Sequence, residues 1–241
     1  MKYIVISDVH SNLEAFSAVV DSFPERSGSR IISAGDVVGY GADPDECIAL
    51  ARSLGAANIM GNHDAAVIDR TDISFFNRYA RAAVLWTKEN TGEAGLEYLR
   101  GLPLVREEDL FTVAHGTLHC PEGFIYMMGA AEALHTFEVL TKQICFVGHS
   151  HVPGVFILRE GRLFQSFKRK IKIEKDASYI INAGSVGQPR DNDNRACYCV
   201  YDTDKGEVEF RRIEYDIKTA HDKIIRAGLP EMLAERLWHG R

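Results

Sequence analysis

Five short apolar segments within the first 151 residues each end in a group of polar residues rich in Asp, Asn and His. The endings are Ser7-Asp8-Val9-His10, Ala34-Gly35-Asp36, Gly61-Asn62-His63-Asp64, His115-Gly116 and Gly148-His149-Ser150-His151. In open α/β sheets, ligands bind beyond the carboxyl ends of the strands. If the five segments are buried strands, their polar endings therefore meet at that edge and form one cluster. No other feature of the chain limits the possible folds as strongly.

The chain between these segments predicts a layered α/β fold. Apolar residues recur at helical spacing over 12–23, and Asp43-Pro44-Asp45-Glu46 is a helix start, so the first 60 residues have a β-α-β-α-β order. That order is typical of parallel strands joined by right-handed crossovers. We expect a helical insert at about 65–100 in which Phe75, Tyr79 and Trp86 are spaced like a core face, with the alternative that they overhang the site and stack on a nucleobase. The short strands between 155 and 212 predict an antiparallel meander that forms a second sheet.

Composition restricts the class of protein. The 241 residues carry a net charge of −6, and no apolar run approaches the about 18 residues that a membrane span needs. We therefore expect a single cytoplasmic domain over residues 1–241 without a membrane partner. The acidic balance disfavours nucleic acid, which is bound through a basic face. The five cysteines are odd in number and contain no C-x-x-C pair, which indicates reduced thiols.

The polar cluster has the composition of a metal site. Its seven candidate ligands are sufficient for two metal ions with about four protein ligands each, provided that one carboxylate bridges the ions. Imidazole, carboxylate and amide donors suit Mn, Fe, Zn, Co or Ni. A hydroxide shared by two such ions can attack phosphorus in line, so the cluster predicts phosphoester hydrolysis. The candidates are Asp8, His10, Asp36, Asn62, His115, His149 and His151.

The motifs D-x-H, G-D, G-N-H-D, a histidine after a strand and G-H-x-H occur here in one order over residues 8–151. This combination resembles the calcineurin-like metallophosphoesterase superfamily. The segment Asn182-Ala183-Gly184-Ser185-Val186-Gly187-Gln188-Pro189-Arg190-Asp191 and the tail from Gly228 are similar to a small bacterial and archaeal branch described as phosphodiesterases. The resemblance implies a four-layer αββα sandwich, with two mixed β-sheets flanked by helices. It also implies two divalent transition-metal ions, with Mn expected first and Fe, Zn, Ni or Co as alternatives.

The resemblance also implies a role for each residue. Asp8, His10 and His151 would hold one metal, Asn62, His115 and His149 the other, and Asp36 would bridge them. His63 would be the catalytic residue that assists the leaving group, while Asn62 and Arg190 would bind substrate. Three alternatives stay open: Arg190 could form a structural ion pair, Asp64 could orient His63 or cap a helix, and His119 could line the pocket or lie in a solvated loop.

One departure narrows the expected activity. Gly39 and Tyr40 stand where the protein-phosphatase branch has an acid and a phosphate-binding arginine, which argues against phosphoprotein substrates. We expect a small phosphate-ester substrate, with nucleotide-like esters among the candidates. A scaffold protein on the same fold and a nuclease are the alternatives. The oligomeric state is open, because the apolar residues of the tail could pack on the core or on a second subunit.

Overall fold

The computed structural model describes residues 1–23 and 28–241, and their strands form two six-stranded sheets. In chain order the strands are β1 (Lys2–Ile6), β2 (Ser29–Ser33), β3 (Ala57–Asn58), β4 (Val105–Glu107), β5 (Phe111–Ala114), β6 (Ile144–Val147), β7 (Gly154–Arg159), β8 (Arg162–Ser166), β9 (Lys170–Lys172), β10 (Ala177–Asn182), β11 (Ala196–Asp202) and β12 (Glu207–Ile213). The first sheet has the order β3-β2-β1-β11-β12-β9 and the second the order β4-β5-β6-β10-β7-β8.

Each sheet is mixed. In the first, β1, β2 and β3 run parallel, whereas β11 pairs antiparallel with β1 and continues antiparallel into β12 and β9. In the second, β5, β6 and β10 run parallel, and β4, β7 and β8 join the sheet antiparallel. The parallel strands therefore lie side by side within each sheet, and all of the predicted site motifs follow such strands.

The helices begin where the sequence supplies caps. They are α1 (Leu13–Asp21), α2 (Pro44–Ser53), α3 (Asn62–Val67), α4 (Arg78–Asn90), α5 (Glu93–Arg100), α6 (Ala130–Val139), α7 (Ile217–Arg226) and α8 (Glu231–His239). The side chains of Asn12, Asn77 and Asp216 accept hydrogen bonds from backbone N–H groups in the first turns of α1, α4 and α7. No helix among these described elements is long and apolar enough to cross a membrane.

Three apolar layers hold the sheets and helices together. Tyr3 and Val5 of the first sheet pack against Phe111 and Phe146 of the second, and this inter-sheet core is almost free of solvent. The outer face of the first sheet packs on α1 and α2, and α6 covers part of the outer face of the second. The result is the four-layer αββα sandwich expected from the resemblance.

Two expectations about the fold are wrong in detail. The strands between 154 and 213 do not form a sheet of their own: β9, β11 and β12 complete the first sheet, while β7, β8 and β10 join the second. Strand pairing over long sequence separations decides this, and a local pattern does not contain it. The helical insert is present as α3, α4 and α5, but Phe75 is 91% exposed, whereas Tyr79 and Trp86 pack in a cluster with α8.

Candidate active site

The five polar endings meet between the two sheets rather than at the edge of one. The loops after β1, β2 and β3 belong to the first sheet, and those after β5 and β6 to the second. Backbone hydrogen bonds join the loops within each sheet: the N–H of Asp8 donates to the carbonyl of Gly35 (2.9 Å), and that of Gly148 to the carbonyl of His115 (3.0 Å). The side chains of Asp8, Asp36 and His149 project into the space between these loops and are almost fully buried.

Asp8, His10 and His151 form one donor group. The Nε2 atom of His151 lies 3.3 Å from Oδ1 of Asp8 and 3.1 Å from Nε2 of His10. The Nε2 atom of His10 lies 3.7 Å from the same carboxylate oxygen. All three side chains are buried, and two nitrogens and one oxygen lie within 4.8 Å of one another.

Asp36 connects this group to a second one. Its Oδ2 atom lies 3.6 Å from Nε2 of His10 and 3.2 Å from Nε2 of His115. His149 joins Asp36 and His115 in a second cluster of possible ligands, and Oδ1 of Asn62 lies 3.1 Å from Nε2 of His115. The structure thus brings all seven predicted ligands together, and one carboxylate lies between two histidine groups.

The hydrogen bonds of the imidazoles fit a metal. The Nδ1–H groups of His10, His115 and His151 donate to the backbone carbonyls of Val38 (3.1 Å), Ala34 (2.7 Å) and Gln188 (2.5 Å). In its neutral form each ring therefore turns an Nε2 lone pair toward the centre, which is the tautomer that metal-binding histidines adopt. The Nε2 atom of His149 is buried and has no hydrogen-bond partner in the described chain. Lone pairs that face one another in this way are stabilised by a cation.

The pKa values of the cluster residues are also consistent with a metal site. Burial raises the pKa of Asp8 to about 7, with a further contribution from the charge of Asp36. Burial opposes ionisation of His115, but the neighbouring Asp36 outweighs it and raises the pKa of His115 to about 9, while the pKa of Asp36 is held below its usual range. Burial lowers the pKa of His10, His149 and His151. Without a metal, protons bound to Asp8 and His115 supply part of the positive charge that metal ions would otherwise supply.

The backbone of the cluster is strained. Asp8, His10, Asp36, His149 and His151 all have φ between 51° and 66°, a left-handed conformation that residues with a Cβ seldom adopt. Each such residue costs about 1–3 kcal/mol and persists only where the surrounding structure imposes it. Five of the seven predicted ligands share this strain, which is typical of functional sites.

His63 lies at the edge of the cluster and shares a third group of possible ligands with His10 and Asp36. Its ring contacts those of Tyr40 (centroids 4.3 Å apart), His10 (4.9 Å) and Phe76 (5.3 Å). Its Nδ1 atom is buried and lacks a partner among the described residues, and burial lowers the pKa of His63 to about 4. A neutral imidazole with a free nitrogen can donate one hydrogen bond to an incoming group.

Gly39 makes room for this ring. Its φ is +96°, and a Cβ at that position would stand 2.6 Å from Nδ1 of His63. The sequence had singled out Gly39 only as the replacement for an acid. Gly39 follows the G-D motif, and a glycine at such a place often marks a close approach of another group to the backbone. That signal could have identified Gly39 as a positioning residue.

Arg190 lies over Tyr40, next to the cluster. Its guanidinium carbon is 5.6 Å from the centre of the Tyr40 ring, and its Nη2 atom donates to the hydroxyl of Tyr40 (3.3 Å) and to Oε1 of Gln188 (2.9 Å). No carboxylate pairs with Arg190 among the residues described, which does not favour a structural ion pair. The loop after β10 thus places a guanidinium beside Tyr40.

A cavity of about 460 Å³ opens from the cluster along His63. Five of its lining residues are Phe or Tyr, and one of them, Tyr126, stacks on the ligand candidate His149 with ring centres 3.7 Å apart. Tyr126 was not predicted from the sequence, because it belongs to no recognisable motif in the loop after β5. The aromatic lining residues are Tyr40, Phe75, Phe76, Phe124 and Tyr126.

The other residues considered from sequence lie elsewhere. His119 is not among the residues lining this cavity, and its ring faces His135 at 5.2 Å. The five cysteines are free, and four of them are buried. In the tail, Leu229, Leu233 and Leu237 pack on the core and Met232 is exposed.

Comparison with known proteins gives consistent matches. The model of the calcineurin-like phosphoesterase superfamily domain matches residues 1–206. The chain is 40% identical to "Uncharacterized protein MJ0912" of Methanocaldococcus jannaschii, over 98% of this chain and 97% of that protein.

Two solved structures match over the whole chain. A metallophosphoesterase from Sphaerobacter thermophilus shares 37% identity with a TM-score of 0.86, covering 100% of this chain and 99% of that one. The hypothetical protein PH1004 from Pyrococcus horikoshii OT3 shares 20% identity with a TM-score of 0.79, covering 100% and 98%, and supports the fold alone.

Proposed function

Because the chain belongs to the calcineurin-like phosphoesterase superfamily and is a metal-dependent phosphoester hydrolase, we propose that it is a dinuclear phosphodiesterase. The observation that carries the proposal is the position of Asp36. Its Oδ2 atom lies within 3.6 Å of both His10 and His115, which belong to different donor groups. A carboxylate shared between two such groups is the arrangement that a pair of metal ions requires.

The two donor groups divide the ligands between two ions. Asp8, His10 and His151 would hold one ion, His115, His149 and Asn62 the other, and Asp36 both. When bound, divalent ions would neutralise the charge of the phosphate and activate water as the nucleophile. The mixture of nitrogen and oxygen donors suits Mn, Fe, Zn, Co or Ni, with Mn as the first candidate.

The remaining polar side chains would act on the substrate directly. Arg190 would bind a phosphate oxygen through its guanidinium, which packs against the ring of Tyr40. The side-chain amide of Asn62 can donate a hydrogen bond to a second oxygen while its Oδ1 faces the cluster. His63 would donate a hydrogen bond or a proton to the leaving oxygen from its unpartnered ring nitrogen.

The cavity supports a diester rather than a simple monoester. Beyond His63 it offers aromatic walls and about 460 Å³, which an organic leaving group can fill. Ester groups on both sides of the phosphorus would thus find protein contacts. The protein is acidic overall, and basic strand residues pair with acids, as Lys170 does with Glu207. Such a surface is suited to small substrates rather than to nucleic acid.

The test combines metal analysis with hydrolysis. We expect protein purified with added Mn to hold close to two ions per chain and to cleave bis-(p-nitrophenyl) phosphate faster than p-nitrophenyl phosphate. Asp36→Asn should lose at least one ion and most turnover, whereas the exposed control Asp176→Asn should keep both. One ion per chain, or full activity in Asp36→Asn, would contradict the dinuclear proposal, and faster monoester cleavage would contradict the diester preference.

A further inference from the structure

Phe75 is the most exposed large apolar side chain among the described residues, and it lines the cavity that also contains Asn62 and His63. The next residue, Phe76, packs on two apolar clusters and contacts the ring of His63, whereas Phe75 belongs to none of the apolar clusters in the described chain. A single exposed aromatic ring is ordinary at a protein surface. This ring, however, forms part of the wall of the active-site cavity.

A second segment, from the loop after β5, contributes two more rings to the same cavity. Phe124 has a φ of +45°, a left-handed conformation that a bulky side chain adopts only where the surrounding structure imposes it. Gly116 admits this segment closely, because a Cβ at that position would stand 2.6 Å from the carbonyl oxygen of Ile125. The ring of Tyr126 is held by its stacking on His149. The aromatic lining therefore comes from two distant segments, and the second is fixed beside the cluster.

Polar groups accompany these rings in the cavity wall. Oδ1 of Asn77 accepts hydrogen bonds from the N–H groups of Tyr79 and Ala80 (3.0 Å each), so its amide is held in place, while its Nδ2 has no acceptor within residues 1–23 and 28–241. Asp72 is exposed, and its carboxylate has more lone pairs than its hydrogen bonds to Ser74 use. The wall thus offers one hydrogen-bond donor and one acceptor in addition to aromatic faces.

We propose that this cavity binds a planar heterocyclic ring of the substrate, of the nucleobase class, and that Phe75 determines this specificity by stacking on the ring. The proposal deepens the function proposed above and rests on it for the position of the phosphate. Aromatic faces bind a flat ring by stacking, and the polar groups of Asn77 and Asp72 suit the nitrogen and oxygen atoms at its edge. Asn62, His63 and His149 line the same cavity, so one ligand can reach both the metal centre and Phe75.

The experiment compares AMP with ribose 5-phosphate, which lacks the base. Both are measured as competitive inhibitors in initial-rate assays of bis-(p-nitrophenyl) phosphate, with the Mn-loaded full chain and constant excess free Mn. We expect AMP to have the lower inhibition constant in the unaltered protein. Phe75→Ala should raise the inhibition constant of AMP about tenfold, because stacking is lost, and that of ribose 5-phosphate less than about twofold.

Two variants separate stacking from general effects. Phe75→Tyr keeps an aromatic ring and should retain most of the preference for AMP. Phe164→Ala is the matched control, because Phe164 is also an exposed phenylalanine but lies on β8 and does not line this cavity. Equal inhibition by the two ligands in the unaltered protein, or equal losses for both in Phe75→Ala, would overturn the proposal. A change of oligomeric state in Phe75→Ala, with both inhibition constants unchanged, would also overturn it and assign Phe75 to a contact between copies.

Asn77→Asp tests the polar edge of the ring. Aspartate caps a helix as well as asparagine does, so α4 should begin as before, but the donor becomes an acceptor. We expect AMP to lose about threefold more affinity than ribose 5-phosphate, which reports the effect of the added charge on the phosphate. An equal loss for the two ligands would contradict recognition of a heterocyclic edge.

A binding measurement keeps the test independent of turnover. Calorimetric titration with the phosphonate analogue of AMP, in which a methylene group replaces the ester oxygen and resists hydrolysis, should show the same weakening of about tenfold in Phe75→Ala. If no phosphodiester is cleaved but this difference is found, the proposed function fails and the ring site stands. If diesters are cleaved and the titration shows no difference between Phe75→Ala and the unaltered protein, the ring site fails alone.

Discussion

The carboxylate of Asp64 accepts a hydrogen bond from the backbone N–H of Asp36 over a distance of 2.8 Å. The same carboxylate accepts from the N–H groups of Gly61 (3.0 Å) and Val38 (3.2 Å). Asp36 in turn accepts from the N–H of His63 through its Oδ1 atom (2.8 Å). The loops after β2 and β3 are therefore joined in both directions, and Asp64 acts on the backbone that carries the carboxylate of Asp36 rather than on the ring of His63.

Asp64→Asn is expected to weaken metal binding. An amide offers one acceptor oxygen where the carboxylate offers two, so at least one of the three N–H groups loses its partner. Supporting contacts of this kind are worth about 10–100-fold in metal affinity or activity. Metal content and turnover measured across a series of Mn concentrations check this. If Asp64 instead oriented His63, turnover would fall at saturating Mn while metal affinity stayed the same.

His63→Ala should retain both ions and lose turnover by about 100-fold or more, because losing one hydrogen-bond donor to the charge that develops on the leaving oxygen costs about that much. His63 shares a group of possible ligands with His10 and Asp36, but the proposed ligand set is complete without it. His119→Ala, a control outside the cavity, should leave turnover within about twofold. Full turnover in His63→Ala, with metal content unchanged, would remove His63 from the reaction.

Gly39→Ala should displace the ring of His63. The new Cβ would stand 2.6 Å from Nδ1 of His63, in addition to the strain of a positive φ. Gly161→Ala is a matched control, because its φ is +72° and no atom lies within 4 Å of the added Cβ. Both variants should lose about 1–2 kcal/mol of stability from backbone strain, measured by urea unfolding. Only Gly39→Ala should also lose turnover, and equal activities would show that the ring is not held there.

Arg190→Gln should raise KM for bis-(p-nitrophenyl) phosphate about tenfold or more, because a charged hydrogen bond to the phosphate is lost. Arg190→Lys should recover part of the loss, since a lysine keeps the charge but cannot form a fork. Arg169→Gln, on an exposed arginine paired with Glu209, provides the control. An unchanged KM in Arg190→Gln, together with normal folding, would place the phosphate elsewhere.

Metal binding should strengthen as pH rises from about 6 to 8. In the metal-free protein the pKa of Asp8 is raised to about 7 and that of His115 to about 9, so both groups hold protons near neutral pH. Metal ligands must be deprotonated, and binding therefore releases protons and is opposed by low pH. Calorimetric titration of Mn in two buffers with different ionisation enthalpies measures that release. Binding without proton release at pH 7 would contradict the assignment of these groups as ligands.

The sequence was sufficient for most elements because local patterns specify them. Asn12 and Asp43-Pro44 mark the starts of α1 and α2, and the buried runs before Asp8 and His149 became β1 and β6. The short strand β4 was not predicted, and β3 is only two residues long, because both depend on pairing with a neighbour rather than on their own residues. Phe75 was placed in the core by its spacing, yet it precedes α4, is exposed and lines the cavity beside His63.

The sequence alone determined which side chains carry the chemistry. Asp8, His10, Asp36 and the residues like them follow buried strands, and chain connectivity brings the ends of parallel strands to one side of a sheet. Only the tertiary structure decided how these groups face one another: that two sheets rather than one contribute them, and that Asp36 lies between the two histidine groups. It also decided that Arg190 lies over Tyr40, because contacts between distant segments depend on packing and no local pattern encodes them.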